Sequence, residues 1–391
     1  MLVKYKPINL WVAIYISSLF LIYGALRPIV EIVAVIGILT TLKTRKINNR
    51  PYVILGASFV ALCFLSCLWS GDVSASLYAT RGALECYICS IVIQFYAQSS
   101  EEGIENLIKY SIIMCFVMML RIFLSVPMDQ ILNRQFLGIY NANSVGIRFS
   151  ICCALSFWCF KESRHGNRYL IFSFILGFLG LLSGSKKALV IVLIGIIVLQ
   201  IMYSKNIFGT IKYIILAACL VAGSYYLIMN NAFLYSVIGS RVEGLLNGLQ
   251  YGVSFADAST KERMILIQYA SERWKERALL GHGINSFASV IGYTGYGAVN
   301  LYVHNNYLEI LFGLGIIGTV IYYMIFAINL FHLKRVEVSG FIKLSILMLA
   351  ILLFLDSAMV SYGDEFAQYI LAIYCAVSFY KKNENGESVY E

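Results

Sequence analysis

Residues 304–331 read HNNYLEILFGLGIIGTVIYYMIFAINLF, with Glu309 as the one charged side chain and no proline. About 20 apolar residues wound as helix cross ~30 Å of hydrocarbon, where backbone polar groups have to be satisfied internally. This stretch therefore reads as a membrane-spanning helix. Outward from it the pattern recurs, in runs of roughly 18–22 residues, at about 9–26, 28–42, 51–69, 75–97, 107–126, 144–160, 169–184, 187–203, 211–229, 341–361 and 366–380. The expected fold is all-α: a polytopic integral membrane protein with about twelve transmembrane helices. Composition agrees. Of 391 residues 60% are hydrophobic and 13% charged, four are proline, and the mean hydropathy is +0.76. Soluble domains are ~45–50% apolar and ~25% charged, so a soluble enzyme, a disordered chain and a coiled coil are excluded. A β-barrel would alternate over ~10-residue strands, and these runs do not.

The long polar interruption is 230–303. The chain thus divides into 1–229, transmembrane helices 1–9; 230–303, a large periplasmic loop with an amphipathic helix; and 304–391, transmembrane helices 10–12 and a short cytoplasmic tail. No soluble domain is expected before or after the bundle, and no cleavable signal peptide. With the amino terminus inside, short inside segments around 4–6, 43–50, 161–168, 205–212, 334–343 and 381–382 hold most of the Lys and Arg. That bias sets orientation, while long loops cross regardless of charge. Both termini are then cytoplasmic and 230–303 is extracytoplasmic. The net charge of +9 reads as topology information, with no nucleic acid partner. The ten cysteines lie mostly in apolar runs, and Cys63/Cys67 and Cys86/Cys89 have helical spacing. They read as packing residues rather than as disulfides or a metal site.

Four features stand against the apolar background. His304 falls at the outer mouth, in the first turn of its span. Asn305 and Glu309 are i,i+4, so the amide can orient the carboxylate one turn deeper. A carboxylate inside a span is a functional candidate by default, the alternative being a structural polar cap. Gly315 and Gly318 read as glycines for close helix packing. Second, Ser183-Gly184-Ser185-Lys186-Lys187 is a tight turn with two adjacent ammonium groups, either a phosphate clamp or snorkelling anchors. Third, Ser259 and Glu262 form a capping box that starts a helix running to about Arg277 and ended by Gly281 and Gly283, with His282 in a turn between them. Arg263, Ile267, Ala270, Trp274 and Arg277 share its stripe, which suits a membrane surface or a solvated basic face. Fourth, Asn143 precedes a span containing Arg148, and Arg121 lies in the span before. Two intramembrane arginines suggest a hydrophilic cavity. No P-loop, dinucleotide fingerprint, His-Glu-x-x-His or Asp-x-Asp occurs.

Three of these pieces, in order around a long outer loop, resemble the O-antigen ligase and O-antigen polymerase (Wzy/WaaL-like) family. His304–Gly318 is similar to its His-Asn, two residues, Leu and Gly-x-x-Gly run. Arg263, the following helix and Leu279-Leu280-Gly281-His282-Gly283 resemble its arginine, helix and Leu-x-Gly-x-Gly end, with Ala278 near where proline is common. Ser183–Lys186 resembles its Ser-x-Ser-Arg turn, with a lysine that lacks the guanidinium fork. The resemblance covers mainly 180–320.

It implies a membrane glycosyltransferase of GT-C-like architecture whose donor is an undecaprenyl-diphosphate-linked oligosaccharide. His304 would be the base, imidazole having an ordinary pKa of ~6.5. Arg263 and Lys186 would stabilise the diphosphate leaving group. Glu309 is grouped with the catalytic residues, and Lys187, Asn305, Arg148, Asn143 and Arg277 with the substrate contacts. No metal ion or cofactor is then required. The leading expectation is a polymerase joining lipid-linked O-antigen, capsule or exopolysaccharide repeat units at the bacterial inner membrane. A ligase moving glycan to lipid A–core is the alternative within the family. From another class stands a lipid-linked glycan flippase, which would show an internal repeat. Expected partners are the lipid-linked oligosaccharide, membrane lipids and a chain-length regulator protein.

Overall fold

The computed structural model describes residues 6–22, 24, 26–42, 48–100, 102–134, 141–162, 166–204, 206–292 and 301–380. Basic positions at 4, 43–46, 164, 205 and 381–382, and loop positions 293–300, lie outside the described residues. In chain order the helices are α1 (Pro7–Leu21), α2 (Leu26–Thr41), α3 (Arg50–Ser66), α4 (Val73–Gln98), α5 (Gly103–Ser125), α6 (Met128–Leu132), α7 (Ala142–Glu162), α8 (Asn167–Leu182) and α9 (Lys186–Met202). They continue with α10 (Ile207–Asn230), α11 (Ala232–Leu234), α12 (Ser240–Tyr251), α13 (Ala258–Arg273), α14 (Phe287–Val290), α15 (Asn306–His332), α16 (Ser339–Ala358) and α17 (Glu365–Ser378). No strand occurs among the described residues.

Each of the twelve predicted runs falls on a helix. Among the described residues five stretches are long and apolar enough to cross a membrane: α5, α7, Phe208–Asn230 of α10, α15 with the turn after it, and α16. Shorter apolar helices are α1, α3, α8 and α17. The chain is a helical membrane protein, with five candidate spans rather than a demonstrated twelve. It folds as two compact units interleaved in sequence. One comprises Met1–Leu42 and Glu105–Gln250, the other Lys43–Ile104 and Tyr251–Glu391. The predicted loop 230–303 is therefore shared between them.

In the second unit α15 is broken. Gly315 has φ 65° and ψ −165° inside an otherwise helical run. The carbonyls of Phe312 and Gly313 accept from the backbone N–H of His282 (2.9 Å) and Gly283 (2.8 Å), while Ile316 and Ile317 donate to the carbonyls of Ala278 (2.8 Å) and Leu279 (3.3 Å). The end of the long loop is thus stitched into the break and satisfies the groups it frees, as irregular backbone at membrane depth requires. A Cβ on Gly315 would lie 2.3 Å from the Leu279 carbonyl oxygen.

Two predicted details are corrected. The capping box at Ser259/Glu262 does not form: Asp257 is the N-cap, its carboxylate accepting from Thr260 N (3.3 Å) and Thr260 Oγ1 (2.5 Å). A charged cap suits the positive end of a helix, and it starts α13 earlier. The apolar part of the α13 stripe also packs inside the protein. Leu266 and Ala270 are buried with Phe287, Val303 and Phe312, and Ile267 and Trp274 pack against them. Helix α13 is a wall for the first half of α15.

Candidate functional site

In the second unit the chemistry gathers just ahead of α15. His304 is not in the first turn of that helix. Asn305 takes the N-cap, its Oδ1 accepting from Leu308 N at 3.0 Å, and the helix starts at Asn306. His304 stands outside with a left-handed φ of 59°. Such a backbone is uncommon away from glycine and clusters at functional sites. Nor does the Asn305 amide orient Glu309, since its Nδ2 donates to the Ser357 carbonyl at 3.3 Å. Glu309 is buried and accepts from the backbone N–H of Val303 at 2.9 Å. The carboxylate therefore fixes the segment that carries His304.

Tyr302, which the sequence does not single out, joins these residues. Its ring centroid lies 4.1 Å from that of His304. Burial pushes its phenol pKa up; the Arg263 guanidinium opposes the shift and the Glu309 carboxylate adds to it. Arg263 and Glu309 are thus both within electrostatic reach of the phenol that His304 packs against. Arg277 is turned elsewhere, Nη1 donating to the Trp69 carbonyl at 3.3 Å. His282 is buried, stacked on Phe312 at 4.5 Å, with Nε2 donating to the Arg273 carbonyl at 3.3 Å. Burial lowers its pKa from the ordinary 6.5.

A second group went unread. Asn306 donates to Tyr323 Oη (3.1 Å), Tyr323 donates to Asp356 Oδ2 (2.9 Å), and Ser361 Oγ donates to Asp356 as well. Asn306 Oδ1 accepts from the N–H groups of Ser361 (3.0 Å) and Tyr362 (3.2 Å). This buried network ties the start of α15 to the end of α16. Its only signal in the sequence is a lone aspartate at the end of an apolar run.

In the first unit Lys186 and Lys187 form the first turn of α9, half-buried, after the N-cap Ser185. Asn143 reaches this turn through Arg134, whose Nη2 donates to Asn143 Oδ1 at 3.0 Å and whose Nε donates to the Ser183 carbonyl at 2.9 Å. Arg148 is buried and serves α1: Nε donates to the Leu19 carbonyl at 2.9 Å, and Nη1 to Ser144 O at 3.2 Å and to Ser144 Oγ. Arg121 donates to the Leu21 carbonyl. The two intramembrane arginines thus meet the negative, C-terminal end of α1.

Residues 171–323 match the family model described as O-antigen ligase. This segment is similar to the O-antigen ligase family. It runs from α8 through the Ser183–Lys187 turn and the long loop to the middle of α15, so it carries Lys186, Lys187, Arg263, Tyr302, His304 and Glu309. Helices α1 to α7, α16 and α17 lie outside the O-antigen ligase segment, and with them Arg148 and Asp356. No curated protein matches the chain.

Proposed function

We propose that the chain is a membrane glycan transferase of the O-antigen polymerase kind. It acts on the periplasmic face of the bacterial inner membrane, with both termini cytoplasmic, and takes its donor from undecaprenyl diphosphate. The observation that carries this reading is that His304 packs against Tyr302, with Arg263 and Glu309 in electrostatic reach of the same phenol, inside the segment that matches the O-antigen ligase model. An acceptor hydroxyl attacks the anomeric carbon as the bond to the diphosphate oxygen breaks. His304 takes the hydroxyl proton, and the departing diphosphate keeps the bonding pair. Arg263 balances that growing charge, which is the interaction worth most in a transition state of this kind. Glu309 holds the Val303–His304 backbone in place. In the other unit Lys186 and Lys187, at a helix N-terminus, are proposed phosphate contacts in their own right.

The family's description as ligase favours a second reading, transfer to lipid A–core. A deletion strain separates the two. Lipopolysaccharide carrying a single repeat unit supports the polymerase. Long lipid-linked polymer accumulating beside bare core supports the ligase and overturns the polymerase. Because cationic side chains take the part of a divalent ion, activity of the purified protein is expected to survive EDTA. Loss on chelation with rescue by magnesium or manganese would sink this mechanism.

A further inference from the structure

Helix α15 is folded back on itself. In a straight helix Tyr307 and Tyr323 would stand about 24 Å apart along the axis. Their rings instead stack with centroids 4.9 Å apart, and Asn306 Nδ2 donates to Tyr323 Oη at 3.1 Å. The break at Gly315 therefore turns 306–314 back along the second arm, 316–332. Both arms meet the last turns of α16. Tyr307 Oη donates to the Leu353 carbonyl at 3.0 Å, Asn305 Nδ2 to the Ser357 carbonyl at 3.3 Å, and Tyr323 Oη to Asp356 Oδ2 at 2.9 Å.

His304 lies between two anchored points. On one side the Glu309 carboxylate holds the N–H of Val303 at 2.9 Å. On the other, Asn306 is fully buried: its amide donates to Tyr323, and its Oδ1 accepts from the N–H groups of Ser361 (3.0 Å) and Tyr362 (3.2 Å). Asp356, buried as well, engages the hydroxyls of Tyr323 and Ser361 with one carboxylate oxygen each. A carboxylate inside an apolar bundle is costly, but a fully satisfied polar network specifies one arrangement of its members. The loop that Asn306 holds runs on to Asp364, whose carboxylate is within electrostatic reach of the Tyr302 phenol. A left-handed backbone away from glycine persists only where its surroundings impose it. The φ of 59° at His304 falls between these two anchors.

We infer that Tyr323 is a positioning residue for His304: through Asn306 it locks the start of α15 to the helix's own second arm, and so fixes the place from which the imidazole works. This rests on the function proposed above, in which His304 takes the acceptor proton. The test uses the purified full-length protein. Tyr323→Phe keeps the ring stack and removes only the hydroxyl. It is expected to lower kcat for glycan transfer about tenfold, since a misplacement of ~1 Å at a reacting group costs up to ~10²-fold, while the KM for lipid-linked donor stays close to wild type. In a His304→Ala background the same change should cost nothing further, because it acts through the imidazole. Asn306→Ala enters the link from its other end and should lose at least as much kcat, which keeps the test in force if the phenylalanine variant does not fold. Tyr322→Phe is the control. It removes the neighbouring hydroxyl, which accepts from Gln368 Nε2 at 3.0 Å, and should keep kcat while lowering Tm as much as Tyr323→Phe does. Amide exchange across 303–305, which needs no turnover, should quicken in Tyr323→Phe and not in Tyr322→Phe.

Wild-type kcat in both Tyr323→Phe and Asn306→Ala overturns the inference. So does an undiminished loss in the His304→Ala background, which would have Tyr323 act elsewhere, or an equal loss of kcat in Tyr322→Phe, which would make the network merely structural. A wild-type protein that transfers no glycan from a lipid-linked donor overturns the proposed function, and the exchange measurement then decides alone. Faster exchange across 303–305 in Tyr323→Phe leaves Tyr323 as the residue that places His304, and unchanged exchange removes it from that role.

Discussion

His304 keeps a left-handed backbone beside Tyr302, so its imidazole is placed by the segment before α15 and not by the helix itself. A general base supplies ~10²–10⁴-fold in rate. His304→Ala is expected to slow glycan transfer by about that factor while insertion and donor binding are kept. Equal loss of donor binding would make the histidine a phosphate contact instead. Arg263→Ala should nearly abolish transfer, and full activity in that variant would leave α13 an ordinary structural helix. His282 has a different fate. Its folded pKa lies below the ordinary 6.5 because burial disfavours the imidazolium. The unfolded chain then binds the proton more readily, so the stability contributed by the neutral ring is complete above about pH 6.5 and is lost as pH falls through the lowered folded pKa. Melting curves from pH 8 to pH 5 should show Tm falling on the acid side, and His282→Asn should flatten that fall. An unaltered slope in the variant would assign the acid sensitivity to other groups. His304 and Arg263 were legible because charged and imidazole side chains contrast with an apolar chain. Tyr302 is one of 28 tyrosines and offers no such contrast.

The helices themselves were legible from hydropathy alone, but the break in α15 was not. A glycine within a helical pattern is usually tolerated at about 1 kcal/mol, so Gly315 and Gly318 read as packing residues. What turns Gly315 left-handed is the docking of Ala278–Gly283, a long-range event with no local trace. The shift of the α13 cap from Ser259 to Asp257 is a smaller case of competition between neighbouring cap candidates. Gly315→Ala places a Cβ 2.3 Å from the Leu279 carbonyl oxygen in a φ that alanine disfavours. A loss of roughly 1–3 kcal/mol is expected, together with faster amide exchange across 278–283 as the stitching loosens. Unchanged melting with unchanged exchange would show that the loop does not depend on the break. The Asp356 network belongs to this scale too, because it joins two helix ends through Asn306 and Tyr323 and not through any pair adjacent in sequence.

At the scale of the molecule, hydropathy yields a linear order of runs and one long loop, whereas the chain folds as two units that each draw on separated stretches. Loop positions up to Gln250 fall in the unit that holds α7 to α10, and those from Tyr251 on in the unit that holds α13 to α15. The loop carries Arg263, so the sidedness of the loop decides whether that residue can meet a periplasmic substrate. Lys and Arg bias in the short segments puts Tyr251 outside and Glu337 inside. Both side chains are exposed, and the exposed native thiol Cys219 can first be changed to serine. In that background Tyr251→Cys should react with a membrane-impermeant thiol reagent added to cells with a permeabilised outer membrane, and Glu337→Cys should react only after the inner membrane is opened. The reverse pattern would place Arg263 on the cytoplasmic face, and the proposed lipid-diphosphate chemistry on the periplasmic side would fall with it. Labelling of both cysteines from outside would mean that an even number of crossings separates the two residues, and the span count between α12 and α16 would have to be revised.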